Sequence, residues 1–171
     1  MTTEKSLDVE TLIEREKIRD ILVGYWCTGT DTVNWKLYRS VFADDFEGQL
    51  PNLSPPGSPP PKPLNAVEWL NIARQVEGFD ATQHVVSNFV YDISGDTAVV
   101  TSYLVAEHHL AGESFVLGGQ SMHGLSRTPD GWRVTKVSIN PWWTRGEAGL
   151  MAKAAERYAS GQAPRSALAV V

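Results

Sequence analysis

Residues 82–110 read TQHVVSNFVYDISGDTAVVTSYLVAEHHL, and this stretch decides the fold. β-branched and aromatic residues crowd both halves, and Ser94-Gly95-Asp96 breaks them in the middle. That pattern predicts two long strands, Thr82–Ile93 and Thr97–Leu110, closed by a tight hairpin. The same grammar recurs downstream, where Ser114–Arg127 and Trp132–Asn140 flank the turn Thr128-Pro129-Asp130-Gly131. Four consecutive strands on short turns make an antiparallel meander. Upstream the period is helical. Ile18, Ile21, Leu22 and Tyr25 line one face of a predicted helix over Thr11–Gly29. A second helix carries Trp35, Tyr38, Val41 and Phe42 on one side, and a short strand follows over Phe46–Leu50. Asn65-Ala66-Val67-Glu68 resembles a capping box and opens a third helix reaching about Val76. A last helix is expected over about Glu147–Ser160. Three helices, then a meander, predict an α+β fold: a curved antiparallel sheet with the helices against one face. A single domain is expected over 1–171, with its core at about 12–143.

The chain has 171 residues, 15 basic against 20 acidic, for a formal charge of −5. That balance excludes a basic nucleic-acid footprint and a polybasic membrane-surface protein. No apolar run reaches the ~20 residues needed to span a bilayer. The N-terminus shows no apolar signal segment, and the one cysteine, Cys27, has no partner for an internal disulfide, so a reducing cytoplasm is the expected setting. Six Trp, five Tyr and five Phe are more rings than a core of this size calls for. They fit either an aromatic-rich core or interface, or a pocket walled by rings. Pro51–Pro63 is the one low-complexity stretch; six of the nine residues from 55 to 63 are proline, which predicts an extended loop bordering the pocket.

Four histidines, His84, His108, His109 and His123, all fall on predicted strands. If Ser94 faces Thr97, paired residues in the first hairpin are related by a fixed sum, which sets His84 opposite Glu107 and Thr82 opposite His109. His84, Glu107 and His109 then share a sheet face. A hairpin longer by one residue would put His108 there instead. Two imidazoles beside a carboxylate are suited to general acid–base work. Metal-ligand spacing is poor, Gly118-Gly119 opens no helix, and Cys27 has no evident base, so neither a cofactor nor a metal nor a nucleophile is implied. For His123, the turn at Pro129-Asp130 predicts Lys136 as its partner and an exposed position.

The order of motifs resembles a known family. Tyr25 to Asp31 closes the first helix, Asn34-Trp35 follows, and then come Val41-Phe42-Ala43-Asp44-Asp45-Phe46, Gln83-His84-Val85-Val86-Ser87-Asn88, Gly95-Asp96-Thr97-Ala98 and Asp130-Gly131-Trp132. This is similar to the SnoaL-like branch of the nuclear transport factor 2-like superfamily, whose members fold as a cone. The site pattern resembles those of scytalone dehydratase and hexachlorocyclohexane dehydrochlorinase, which both centre on an Asp after the first helix and a His on the first long strand. The resemblance implies Asp31 and His84 as a catalytic dyad, with His109 as a second catalytic histidine. Tyr25, Trp26, Glu107, Asn140, Trp142 and Trp143 are the candidate substrate-binding residues. The implied activity is a lyase without cofactor, removing a small leaving group from a small apolar or aromatic molecule. An isomerase or cyclase, and a non-catalytic binding or assembly module, are the alternatives on the same scaffold. The sheet face away from the helices carries apolar residues, which predicts a homo-oligomer. The resemblance implies a trimer, with a dimer as the alternative.

Overall fold

The computed structural model describes residues 8–50, 59 and 61–162, with the side chains of Tyr25 and Trp26 outside that description. Most of the Pro51–Pro63 stretch lies outside the described residues. Helix α1 spans Val9–Val23. Its start is set by Asp8, whose carboxylate accepts the Thr11 N–H at 2.7 Å. Ile18 and Leu22, one turn apart, are fully buried and point α1 at the sheet. Where one continuous helix to Gly29 is predicted, the chain widens into a π-helical segment, Gly24–Thr30. Helix α2, Trp35–Ser40, is capped by Asn34, whose side chain accepts the Leu37 N–H. Strand β1, Phe42–Gln49, begins four residues earlier than expected and takes Phe42 out of the helix. Helix α3, Ala66–Ala73, opens on the expected capping box: Asn65 takes the Val67 and Glu68 N–H groups, and Glu68 takes the Asn65 N–H. A short 3₁₀ turn, Arg74–Gly78, follows.

The meander is present as β2, Ala81–Ser94, β3, Thr97–Leu110, β4, Glu113–Thr128, and β5, Gly131–Gly146. Helix α4, Leu150–Ala159, ends the described chain. The sheet order is β1-β5-β4-β3-β2, with β1 parallel to β5 and every other pair antiparallel. The result is the expected α+β architecture, a curved five-stranded sheet with helices on its inner face. Strand β5 runs six residues past Asn140, because its last turn still finds partners on β4 as far as Phe115↔Gly146.

Three β-bulges in the antiparallel meander govern which cross-strand partner each side chain meets. The first hairpin starts as predicted, with Ser94 opposite Thr97 and Gly95 at φ +58° in the turn. Between Val90 and Ser87 one extra residue enters β2, and Asn88 sits there at φ +54°. The register then slips by one, so His84 faces Ala106 and Thr82 faces His108. A bulge in β5 between Val134 and Lys136 does the same to His123, whose partner is Val137 instead of Lys136. The third bulge, at Trp142, separates Gly119↔Pro141 from Gly118↔Trp143.

The main core lies between α1, α2, α3 and the inner sheet face. Ile18, Leu22, Tyr38, Phe46 and Trp69 pack there on Val100, Leu104, Val134 and Val137. A second cluster, Val76, Phe79, Leu110, Phe115, Leu150 and Ala154, fastens α4 across the end of the sheet. Trp35 touches both.

Candidate active site

The π-helical segment delivers its last residues to the outer edge of β2. A π turn is wider than an α turn and is often found at functional sites. Directly after it stand Asp31 and a tight turn in which Val33 is held at φ +59°, a strained setting for a β-branched residue. Strand β2 is an edge strand, and the π segment covers its free backbone groups at one residue. The His84 N–H donates to Asp31 Oδ2 at 2.7 Å, and the Cys27 thiol donates to the His84 carbonyl at 2.9 Å. Such cover also blunts a sheet edge that would otherwise invite pairing.

The His84 ring joins the same carboxylate. Its Nδ1 lies 2.7 Å from Asp31 Oδ1. Thr82 donates its hydroxyl to that oxygen at 2.8 Å. Burial pushes the Asp31 carboxyl up, but its hydrogen bond to the His84 ring, the charge there, the His84 N–H and Thr82 together hold it below the usual carboxylate range. An ionised carboxylate can only accept, so Nδ1 carries a proton, and in the neutral ring Nε2 then carries the lone pair.

The second imidazole is His108. It is buried on the inner face, its ring 5.7 Å from that of His84 and nearly perpendicular to it. Phe79 and Phe115 flank it at 4.9 and 6.2 Å. Its Nδ1 lies 3.3 Å from the Phe115 carbonyl, again an acceptor only, so this ring too presents its lone pair on Nε2. Burial, then the neighbouring His84, lowers its pKa to about 4. His108 is therefore neutral at physiological pH.

Several expected site residues are placed elsewhere. The bulge at Asn88 turns Thr82 and His84 to the inner face, whereas Glu107 and His109 stand on the outer face of β3, where they meet each other at 3.5 Å with side chains 38% and 48% exposed. His109 as the second histidine of the pocket is thus corrected to His108, because one inserted residue exchanges the two faces of a strand. Asn140 is exposed and pairs with Gln120 on the outer face. Trp142 and Trp143 are 52% and 45% exposed there as well. Trp142 meets Tyr103 edge-on at 5.1 Å, and the Trp143 indole occupies the space where a Cβ on Gly118 would stand. Asn140, Trp142 and Trp143 therefore do not line the dyad. His123, expected exposed, is fully buried, and that burial lowers its pKa to about 3. Tyr25 and Trp26 lie in the π-helical segment, with side chains outside the described residues. Sequence reasoning missed Thr82, Cys27, Phe79 and Phe115. Thr82 was legible from its two-residue spacing to His84 on one strand face; the others come together only through the fold. Among the described residues, no three His, Cys, Asp or Glu side chains gather as a metal site.

Residues 10–138 match the family model of the SnoaL-like domain, and the chain belongs to that family. Solved structures share the fold. A protein from Kribbella flavida is 25% identical, with a TM-score of 0.70 over 85% of this chain and 99% of its own. A Novosphingobium aromaticivorans protein ascribed to scytalone dehydratase is 19% identical, with a TM-score of 0.68 over 80% of this chain and 89% of its own. A hexachlorocyclohexane dehydrochlorinase from Novosphingobium barchaimii is 18% identical, with a TM-score of 0.66 over 84% of this chain and 96% of its own. No curated protein matches the sequence. No helix among the described residues is long and apolar enough to cross a membrane.

Proposed function

We propose that this protein is a lyase whose own side chains carry the reaction, acting on a small apolar, aromatic or hydroxylated ring compound. The observation that carries the reading is the Asp31–His84 contact at 2.7 Å, set beside a neutral His108 in a site flanked by phenylalanines. The names of two structural relatives denote loss of water and of hydrogen chloride, which supports elimination as the reaction class.

In this reading, His84 Nε2 removes a proton from carbon. Asp31 holds the tautomer and stabilises the imidazolium as it forms. The electron pair left on carbon forms the new double bond, and the leaving group departs from the adjacent atom. Where that group leaves as water, the proton now on His84 Nε2 completes it. His108, neutral and with its lone pair on Nε2, accepts a hydrogen bond from a hydroxyl of the substrate. At neutral pH His108 holds its one ring proton against the Phe115 carbonyl, so it serves as acceptor and not as proton donor.

The test is incubation with pooled hydroxylated and halogenated aromatic and alicyclic compounds, followed by mass spectrometry. Loss of water or hydrogen halide from one component is expected. His84→Ala should lower that turnover by about 10²–10⁴-fold. Unchanged mass with deuterium taken up from heavy water would instead assign an isomerase, in which the same histidine returns the proton to carbon. Full turnover by His84→Ala would refute the dyad as the acid–base machinery.

A further inference from the structure

Asp31 meets three donors with two oxygens. Oδ2 takes the His84 N–H alone. Oδ1 takes both the His84 ring and the Thr82 hydroxyl, at 2.7 and 2.8 Å. Thr82 is buried, stands on the same strand face as His84, and lies opposite His108. A carboxylate turns easily about its last torsion, whereas a threonine hydroxyl on a strand is restricted by β-branching at Cβ. The rigid group therefore steers the mobile one. We propose that Thr82 is the positioning residue of the dyad: its hydroxyl pins Asp31 Oδ1 where the ring N–H must meet it, and so keeps His84 in the tautomer that leaves Nε2 unprotonated.

The proposal rests on the reading of His84 as the base. Among the described residues, two other polar groups near His84 are already committed. The ring proton of His108 faces the Phe115 carbonyl, and the Cys27 thiol reaches the His84 backbone instead of its ring. Glu107 and His109 lie on the other side of the sheet. Among the described hydrogen bonds, Thr82 is the one side chain besides His84 that donates to Asp31.

The experiment compares Thr82→Val with Thr82→Ser. Valine keeps the shape and deletes the donor; serine keeps the donor and deletes a methyl. The full chain, labelled with ¹⁵N at histidine and free of ligand, is read by NMR at pH 7. In the unaltered protein the His84 proton is expected on Nδ1, exchanging slowly with water. In Thr82→Val that exchange should quicken by about tenfold or more, the scale of one hydrogen bond to a charged group, and a share of the Nε2–H tautomer should appear. Thr82→Ser should stay near the unaltered protein. Unmoved exchange and tautomer in Thr82→Val would overturn the proposal. Should Thr82→Val fail to fold, Thr82→Ala against Thr82→Ser reads the same contrast. The signal needs no substrate, so the two readings fail separately. Turnover surviving His84→Ala sinks the lyase and leaves this proposal standing. An unmoved signal beside turnover lost in His84→Ala sinks this proposal alone.

Discussion

Asp31 and His84 are joined by two hydrogen bonds, with a third to Asp31 from Thr82 on the same strand, so removing either partner of the dyad disables the same unit. Asp31→Asn cannot stabilise an imidazolium and can impose the wrong tautomer on His84. Its cost in kcat should therefore overlap with that of His84→Ala, and the double variant should be little slower than the worse single one. Steady-state kinetics on the three variants checks this, and additive losses would show that the two residues work separately. The buried histidines make a second prediction at this scale. His108 and His123 have folded pKa values lowered to about 4 and about 3 from an ordinary value of 6.5. For each, the folded state favours the neutral ring, so the stabilisation is full above the unfolded pKa of 6.5. It declines as pH falls from there toward the folded values. Asp31, held below the usual carboxylate range, adds stability above its unfolded value of 3.8 and loses it at still lower pH. Urea unfolding should show stability falling steadily from about pH 6.5 to 4, and His123→Leu should flatten that slope.

At the scale of elements, the bulge in β2 decides that Thr82 and His84 share the inner face with His108 and not the outer face with His109. Asn88 holds it open at φ +54°, a conformation asparagine tolerates and β-branched residues resist. Asn88→Gly should leave stability nearly unchanged, while Asn88→Val should cost about 1–2 kcal/mol. If the bulge were lost, Thr82 and His84 would slip by one against β3, and His109 would replace His108 across from Thr82. NMR of labelled histidines and urea denaturation test this together: a valine variant as stable as the parent would show that the bulge does not depend on Asn88. The π-helical segment is the partner element. With the Asp31 that follows it, it reaches the edge of β2 at one residue: Asp31 accepts the N–H of His84 and Cys27 donates to its carbonyl. Dyad geometry and sheet-edge protection thus share one bond, from the His84 N–H to Asp31.

For the whole molecule, the two sheet faces have different fates. The inner face is closed by α1, α2, α3 and α4. The outer face leaves Val85, Val99, Tyr103, Met122, Trp142 and Trp143 between 39% and 52% exposed. Large exposed apolar patches mark interaction surfaces, and this one is built across four strands of a rigid sheet. Self-association through it, as a trimer or a dimer, is the expected outcome. Light scattering at micromolar concentration should return a multiple of 18.8 kDa, and Trp142→Glu should shift it toward the monomer. A monomer in both would remove the outer face from consideration as an interface between copies.

The alternation in residues 82–140, the turn signals and the capping box at Asn65 were enough to place four long strands, the helices before them and the α+β architecture. Local chemistry writes these features, because propensity, turn conformation and capping act within a few residues. The motifs around Asp31 and His84 also picked out two residues that the fold brings within hydrogen-bond distance. What remained beyond the sequence was register. Each bulge inserts one residue whose presence depends on how strands twist over the helices, and each exchanges the faces of everything beyond it. That is why His84 shares its face with His108 in place of His109, why His123 pairs with Val137 instead of Lys136, and why Trp142 and Trp143 cover the outer sheet. A period of two tells which residues share a face; only packing in three dimensions decides which face that is.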